Sequence, residues 1–201
     1  MQPLQTFLKV GGTMEAAGVM HSLFYTTGLP GAAAAPSPGI NGAALTTYAG
    51  QIPFANPVSG NTYLTSYSGA ATVIGTLLLV DRLWHNSGVA VATTTAQAIT
   101  SPTWPARDNN GATSGAGVLV GIEASGATTN VGAVSNTTLN YTNSAGTDTR
   151  TGTLTWPATA AAGTFVPFAL AAGDVGVRSI QGVTLGTSYG GGAIHLVAYR
   201  V

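Results

Sequence analysis

Beyond Asn61 the chain runs as short β-type segments separated by turn clusters, a pattern that suits short strands and leaves little room for helices. The clusters include Asn86-Ser87-Gly88, Asp108-Asn109-Asn110-Gly111, Asn143-Ser144-Ala145-Gly146, Ala171-Ala172-Gly173-Asp174 and Tyr189-Gly190-Gly191-Gly192. Asn-Gly and Gly-Gly pairs tolerate the positive φ that tight turns need. The runs between them are rich in Val, Ile, Thr and aromatics. Strands are expected over 72–84, 89–99, 117–124, 129–142, 150–156, 164–170, 175–185 and 193–201. Run 72–84 is apolar on both faces and reads as a central, two-sided strand. Run 150–156 sets Arg150, Gly152, Leu154 and Trp156 against Thr151, Thr153 and Thr155, the pattern of a half-exposed strand. Only 2–10 and 14–23 could hold a helical turn or two, because Glu, Lys and Gln are rare. The expected fold class is all-β, an antiparallel β-sandwich or jelly roll with an extended N-terminal arm.

The arm is read from Pro30, Pro36, Pro38, Pro53 and Pro57, which fall in a Gly- and Ala-rich stretch. Proline removes a ladder donor and fixes φ, so a central strand is not expected there. Residues 1–60 form the expected arm and inter-subunit segment, and 61–201 the body. The candidate interface residues are Pro30, Pro36, Pro38, Tyr48, Pro53, Phe54 and Trp104.

Charge narrows the function. Six basic and six acidic residues make up 6% of the chain, against roughly 25% in an ordinary soluble domain. Lys9, Arg82, Arg107, Arg150, Arg178 and Arg200 are scattered, so no basic patch is offered to nucleic acid. A net charge of zero gives no repulsion between copies and favours association. With no cysteine, disulfides and thiolate metal sites are excluded. The longest apolar stretch, 73–80, is too short to span a bilayer. No secretory signal is read in residues 1–10, so synthesis in the cytoplasm is expected.

The motifs that could carry chemistry have plainer readings. Gly186-Thr187-Ser188-Tyr189-Gly190 fits the nucleophile-elbow pattern, but that motif needs a helix after the serine and an acid downstream. Here glycines and a strand follow, so a hairpin loop is expected. Gly115-Ala116-Gly117 with Gly121 lacks the helix of a dinucleotide loop. His21, His85 and His195 share no ligand spacing. Asp108-Asn109-Asn110 offers one carboxylate, too few for Ca²⁺. The carboxylates Glu15, Asp81, Asp108, Glu123, Asp148 and Asp174 could pair for glycoside hydrolysis only through the tertiary fold. Asp81 and Glu123 are expected to pair with arginines such as Arg82 or Arg178, or to lie at an interface. The sequons at Asn136 and Asn140 carry no weight without a signal peptide. Trp84, Trp104, Trp156, Tyr48, Tyr63, Tyr67 and Tyr189 could line a sugar-binding face, or serve as core and interface anchors. No catalytic residue, cofactor or metal is expected.

Residues 139–146, 150–154 and 163–180, with Leu77-Leu78-Leu79-Val80-Asp81-Arg82-Leu83-Trp84, resemble virion structural proteins of tailed bacteriophages. The Gly/Ala/Thr-rich, charge-poor, cysteine-free style resembles them too. The resemblance implies a capsid decoration or cement protein on the virion surface. It implies a homotrimer that binds the major capsid protein, with no catalytic residues to transfer. Tail or baseplate proteins share this style, and a host-surface carbohydrate-binding module or a glycan hydrolase are the other readings.

Overall fold

A computed structural model describes residues 6–11, 18–54, 59, 68–72 and 74–201. The described chain is all-β. In order the elements are β1 (Leu8–Lys9), β2 (Met20–His21), a 3-10 turn (Leu23–Tyr25), β3 (Gly28–Leu29), β4 (Ala43–Ala44), β5 (Asp81–His85), β6 (Gln97–Ala98), β7 (Leu119–Gly126), β8 (Val134–Asn143), β9 (Arg150–Trp156), β10 (Thr164–Pro167), β11 (Val177–Thr184) and β12 (Ala193–Arg200). Two antiparallel sheets face each other, in the orders β2-β10-β7-β12-β5-β4 and β6-β11-β8-β9. A small ribbon pairs β1 with β3.

The core lies between the sheets. Val120, Ile122, Ala124, Ile194, Leu196 and Trp84 project from the six-stranded side, and Leu139, Tyr141, Leu154, Trp156, Ile180 and Val183 from the other. Strand β9 shows the physics most simply: its threonines are exposed while Gly152, Leu154 and Trp156 are buried. That is the expected period of two on a sheet with one wet face. Trp156 stacks on Tyr189 with ring centroids 5.3 Å apart and planes 8° apart. Trp84 packs on Trp104 at 5.5 Å.

Two sequence expectations change. Among the described residues of run 72–84, only Asp81–His85 form a strand. Strand β12 ends at Arg200, whose register partner is Asp81, so upstream of Asp81 the sheet offers no ladder to join. Two-sided burial belongs instead to β7 and β12, the inner strands of the six-stranded sheet. Run 89–99 contributes only Gln97–Ala98. The Gln97 side-chain amide accepts from Ala90 N–H at 2.8 Å and donates to Ala90 O at 3.1 Å, which closes residues 90–97 into a loop. The helical turns considered for 2–10 and 14–23 lie partly outside the described residues. The described parts hold β1 and β2, with the 3-10 turn beginning at Leu23.

Candidate functional site: a strap over a buried charge cluster, and an exposed apolar surface

The outer face of the six-stranded sheet carries most of the buried polar chemistry. In the antiparallel registers Tyr199 pairs with Arg82, Val197 with His85 and His195 with Glu123, so these side chains share one face. A face with charged and histidine side chains needs cover and partners. Residues 20–52 supply both. Strand β2 pairs with β10 and β4 with β5, so parts of the N-terminal segment are edge strands of the body's own sheet. Ser22 caps the 3-10 turn by accepting from Phe24 N–H at 3.3 Å. The turn aims Tyr25 at Glu123, to which its hydroxyl donates at 2.8 Å. Arg82 forms an ion pair with the same carboxylate oxygen at 2.7 Å, and its guanidinium lies 4.6 Å from the Phe24 ring centroid. Phe24 stacks on Tyr48, and Tyr48 meets His85 edge-on at 4.7 Å. The expected arginine partner of Glu123 is thus Arg82. Asp81 pairs with Arg107 at 2.9 Å.

Burial pushes the Glu123 carboxyl upward, but the Arg82 charge and the hydrogen bonds from Arg82, Ser22 and Tyr25 outweigh it and hold the group below its ordinary range. Burial, then the Arg82 charge and then His195, push His85 down to about 4. Burial lowers His195 as well. Both imidazoles are therefore neutral in the fold at pH 7. The sign of the linkage follows: an unfolded histidine takes up a proton near 6.5, and folded His85 does so only near 4. This contribution is complete above about pH 6.5 and is lost as pH falls toward 4. Urea unfolding at pH 4.5 is expected to show roughly 2–3 kcal/mol less stability than at pH 7.5. A His85→Phe variant should flatten that dependence, and an unchanged slope would remove His85 as its source.

A contact that sequence spacing could not reveal joins Ser125 to His195, 70 residues apart. Ser125 Oγ lies 2.6 Å from His195 Nε2, and His195 Nδ1 lies 3.0 Å from Asn86 O. With Nδ1–H donating to that carbonyl, Nε2 accepts from the serine. Both nitrogens of a 4%-exposed ring are thereby satisfied. Nucleophilic catalysis needs in addition an oxyanion site and room for a substrate. A shallow cavity of about 400 Å³ is lined by Thr129, Asn130, Val134, Thr187, Ser188 and Gly190, not by Ser125. Ser188, the serine of the elbow-like motif, accepts from Gly190 N–H at 3.0 Å in an exposed loop that leads into β12. His195 is engaged by Ser125 and Asn86. The motif's glycines have steric reasons: a Cβ at Gly186 would collide with the Ser135 carbonyl, and Gly190 holds φ of 76° against Thr129.

Asp108 is the organising group of its turn. Its carboxylate accepts from Asn110, Ala112, Gly115 and Ala116 N–H and from the Ser114 hydroxyl. Burial opposes ionisation, but these donors hold its carboxyl well below the usual range. Its oxygens are committed to the chain itself. Among the described residues no group of three or more His, Cys, Asp or Glu side chains could hold a metal ion. No helix among them is long and apolar enough to cross a membrane.

The candidate interface residues separate into three sets by burial. Trp104 is a core residue at 1% exposure, and its Nε1 donates to Val177 O at 2.7 Å. This corrects its reading as a surface anchor: a large ring gains most from burial when its N–H has a partner inside. Pro36 is also buried, and Pro30 and Tyr48 are half-buried in the strap. Pro38, Pro53 and Phe54 are exposed. The aromatic sugar platform loses Trp84, Trp104, Trp156 and Tyr189, all buried. Tyr63 and Tyr67 lie outside the described residues. The exposed apolar surface is elsewhere. Leu8, Val10 and Leu29 stand on or beside the β1–β3 ribbon, and Ile74, Leu77, Leu78, Leu79 and Val80 lead into β5. A two-stranded ribbon with exposed leucines is marginal in water by itself.

No protein-family model matches the chain, and no curated protein or solved structure does either.

Proposed function

We propose that the chain is a structural assembly protein, a decoration or cement protein of a tailed-phage capsid. It binds the lattice of the major capsid protein from the outer surface as a homotrimer, and has no catalytic role. The observation that carries this reading is the surface itself. Arg82 with Glu123, Arg107 with Asp81, and Arg150 with Asp174 spend their charges on one another, and Asp108 is enclosed by its own loop. Little free charge is left to solvate the outside, while two apolar stretches stand uncovered in the single chain. Such a surface suits lasting contact with other proteins. The resemblance of residues 139–146, 150–154 and 163–180 to phage virion proteins supports the same reading. In it, the exposed residues Pro38 of the strap and Pro53 and Phe54 just beyond it face the lattice or a neighbouring copy. Many modest contacts then add up by avidity.

The test is binding of the purified chain to tail-less heads, followed by cryo-electron microscopy. Density for a β-rich body at three-fold or quasi-three-fold positions is expected. Heads that stay bare while density appears on tails would replace the capsid assignment with a tail or baseplate role. A chain that binds neither, but retains glycans on an array, would overturn the assembly reading.

A further inference from the structure

We infer that residues 74–80 are a self-association strand that is buried against a second copy of this chain. The segment reads Ile-Gly-Thr-Leu-Leu-Leu-Val and enters β5 directly. Ile74 is fully exposed, and Leu77, Leu78, Leu79 and Val80 are 38–48% exposed. None of residues 74–80 makes a hydrogen bond to the described residues. Unpaired backbone groups along an apolar run are a template for another strand.

Three features point to a second copy as the occupant. The first is two-sidedness. In extended geometry Ile74, Leu78 and Val80 fall on one face with Thr76, and Leu77 and Leu79 on the other. Covering one face alone would leave leucines in water, so the segment needs protein on both sides. Around a three-fold axis running along it, each residue meets its own equivalent at one height. Ile74, Leu78 and Val80 then fill the axis, while Leu77 and Leu79 turn toward the neighbouring body. The second feature is charge. Residues 74–80 carry none, and the nearest, Asp81, is paired with Arg107. Nothing here would steer an acidic or basic partner, and nothing repels an identical segment. The third is area. The five side chains expose on the order of 500 Å², more than half of the ~800 Å² that each partner contributes to a stable interface. The inference rests on the homotrimer part of the reading above and does not depend on the capsid.

The test uses the full chain in solution. Light scattering coupled to size exclusion is expected to give the mass of three chains for the wild type and of one chain for Ile74→Asp/Leu78→Asp. The near-ultraviolet circular dichroism of the buried tryptophans should be unchanged in that variant. A monomeric wild type, or a folded variant that keeps the full mass, would overturn the assignment. A second variant covers the case in which the double substitution fails to fold. The chain has no cysteine, so Leu78→Cys introduces a single thiol. On mild oxidation it is expected to cross-link two copies at the axis, seen as a doubled band without reductant. A band that stays single in a folded protein would also overturn the proposal. Trimers that fail to bind heads would sink the capsid reading and leave this one standing.

Discussion

Glu123→Gln is expected to lower the unfolding free energy by about 3–5 kcal/mol, measured by urea denaturation at pH 7. The Glu123 side chain is 2% exposed, and that of Arg82, its partner, 14%. Removing one charge of such a pair leaves the other in a poor solvent with no counter-ion. Arg82 Nε already has no hydrogen-bond partner among the described residues, so the guanidinium has little else to fall back on. Glutamine keeps the size of the side chain and can still accept from the Tyr25 hydroxyl. The loss therefore reports the charge rather than the shape. The strap should loosen with it, because Arg82 also lies against Phe24. Limited proteolysis is expected to cut within residues 18–52 sooner than in the wild type. Replacing both members, as Arg82→Met/Glu123→Leu, should cost clearly less than Glu123→Gln alone, since no orphan charge remains. A double variant as unstable as the single one would show that the pair's worth is packing and not charge compensation.

Trp104→Ala is expected to cost about 3–5 kcal/mol, the range for deleting a buried aromatic ring from a packed core. The ring packs on Trp84 and its Nε1–H ends on Val177 O, at the start of β11. Truncation opens a cavity between the sheets and orphans that carbonyl from its indole donor. Trp104→Phe separates the two effects. It keeps most of the apolar volume and loses the hydrogen bond, so about 1–2 kcal/mol is expected. Equal losses in the two variants would contradict this division. The size of the alanine effect also bears on how any binding experiment is read. Loss of glycan retention in Trp104→Ala would follow from unfolding and would not identify a sugar platform.

Much of this was legible in the chain before any coordinates. Strand β9 is bounded as its alternation of threonine with Gly152, Leu154 and Trp156 indicates, and β7, β8, β11 and β12 fall within a few residues of their expected runs. That Glu123 could take an arginine was legible as well, but that the arginine is Arg82, and that the carboxylate is buried, was decided by the fold. The failures are as specific. Run 72–84 has the strongest strand pattern in the chain, yet its first part pairs with nothing among the described residues, because pairing belongs to the neighbour's register and β12 ends at Arg200, opposite Asp81. Trp104, placed before a proline, reads as a loop residue and hence a surface one, yet that loop closes over the core.

By itself the sequence determined the strand class, the turns between strands, and the absence of disulfide and thiolate chemistry. Those properties are set by side-chain period, φ preference and residue type, all of which act within a few residues. Only the tertiary structure decided which faces were covered, that Ser125 would meet His195, and that the tryptophans would be core and the leucines of 74–80 surface. Each depends on contacts between segments tens of residues apart, and burial is a property of what packs above a side chain, not of the residue that carries it.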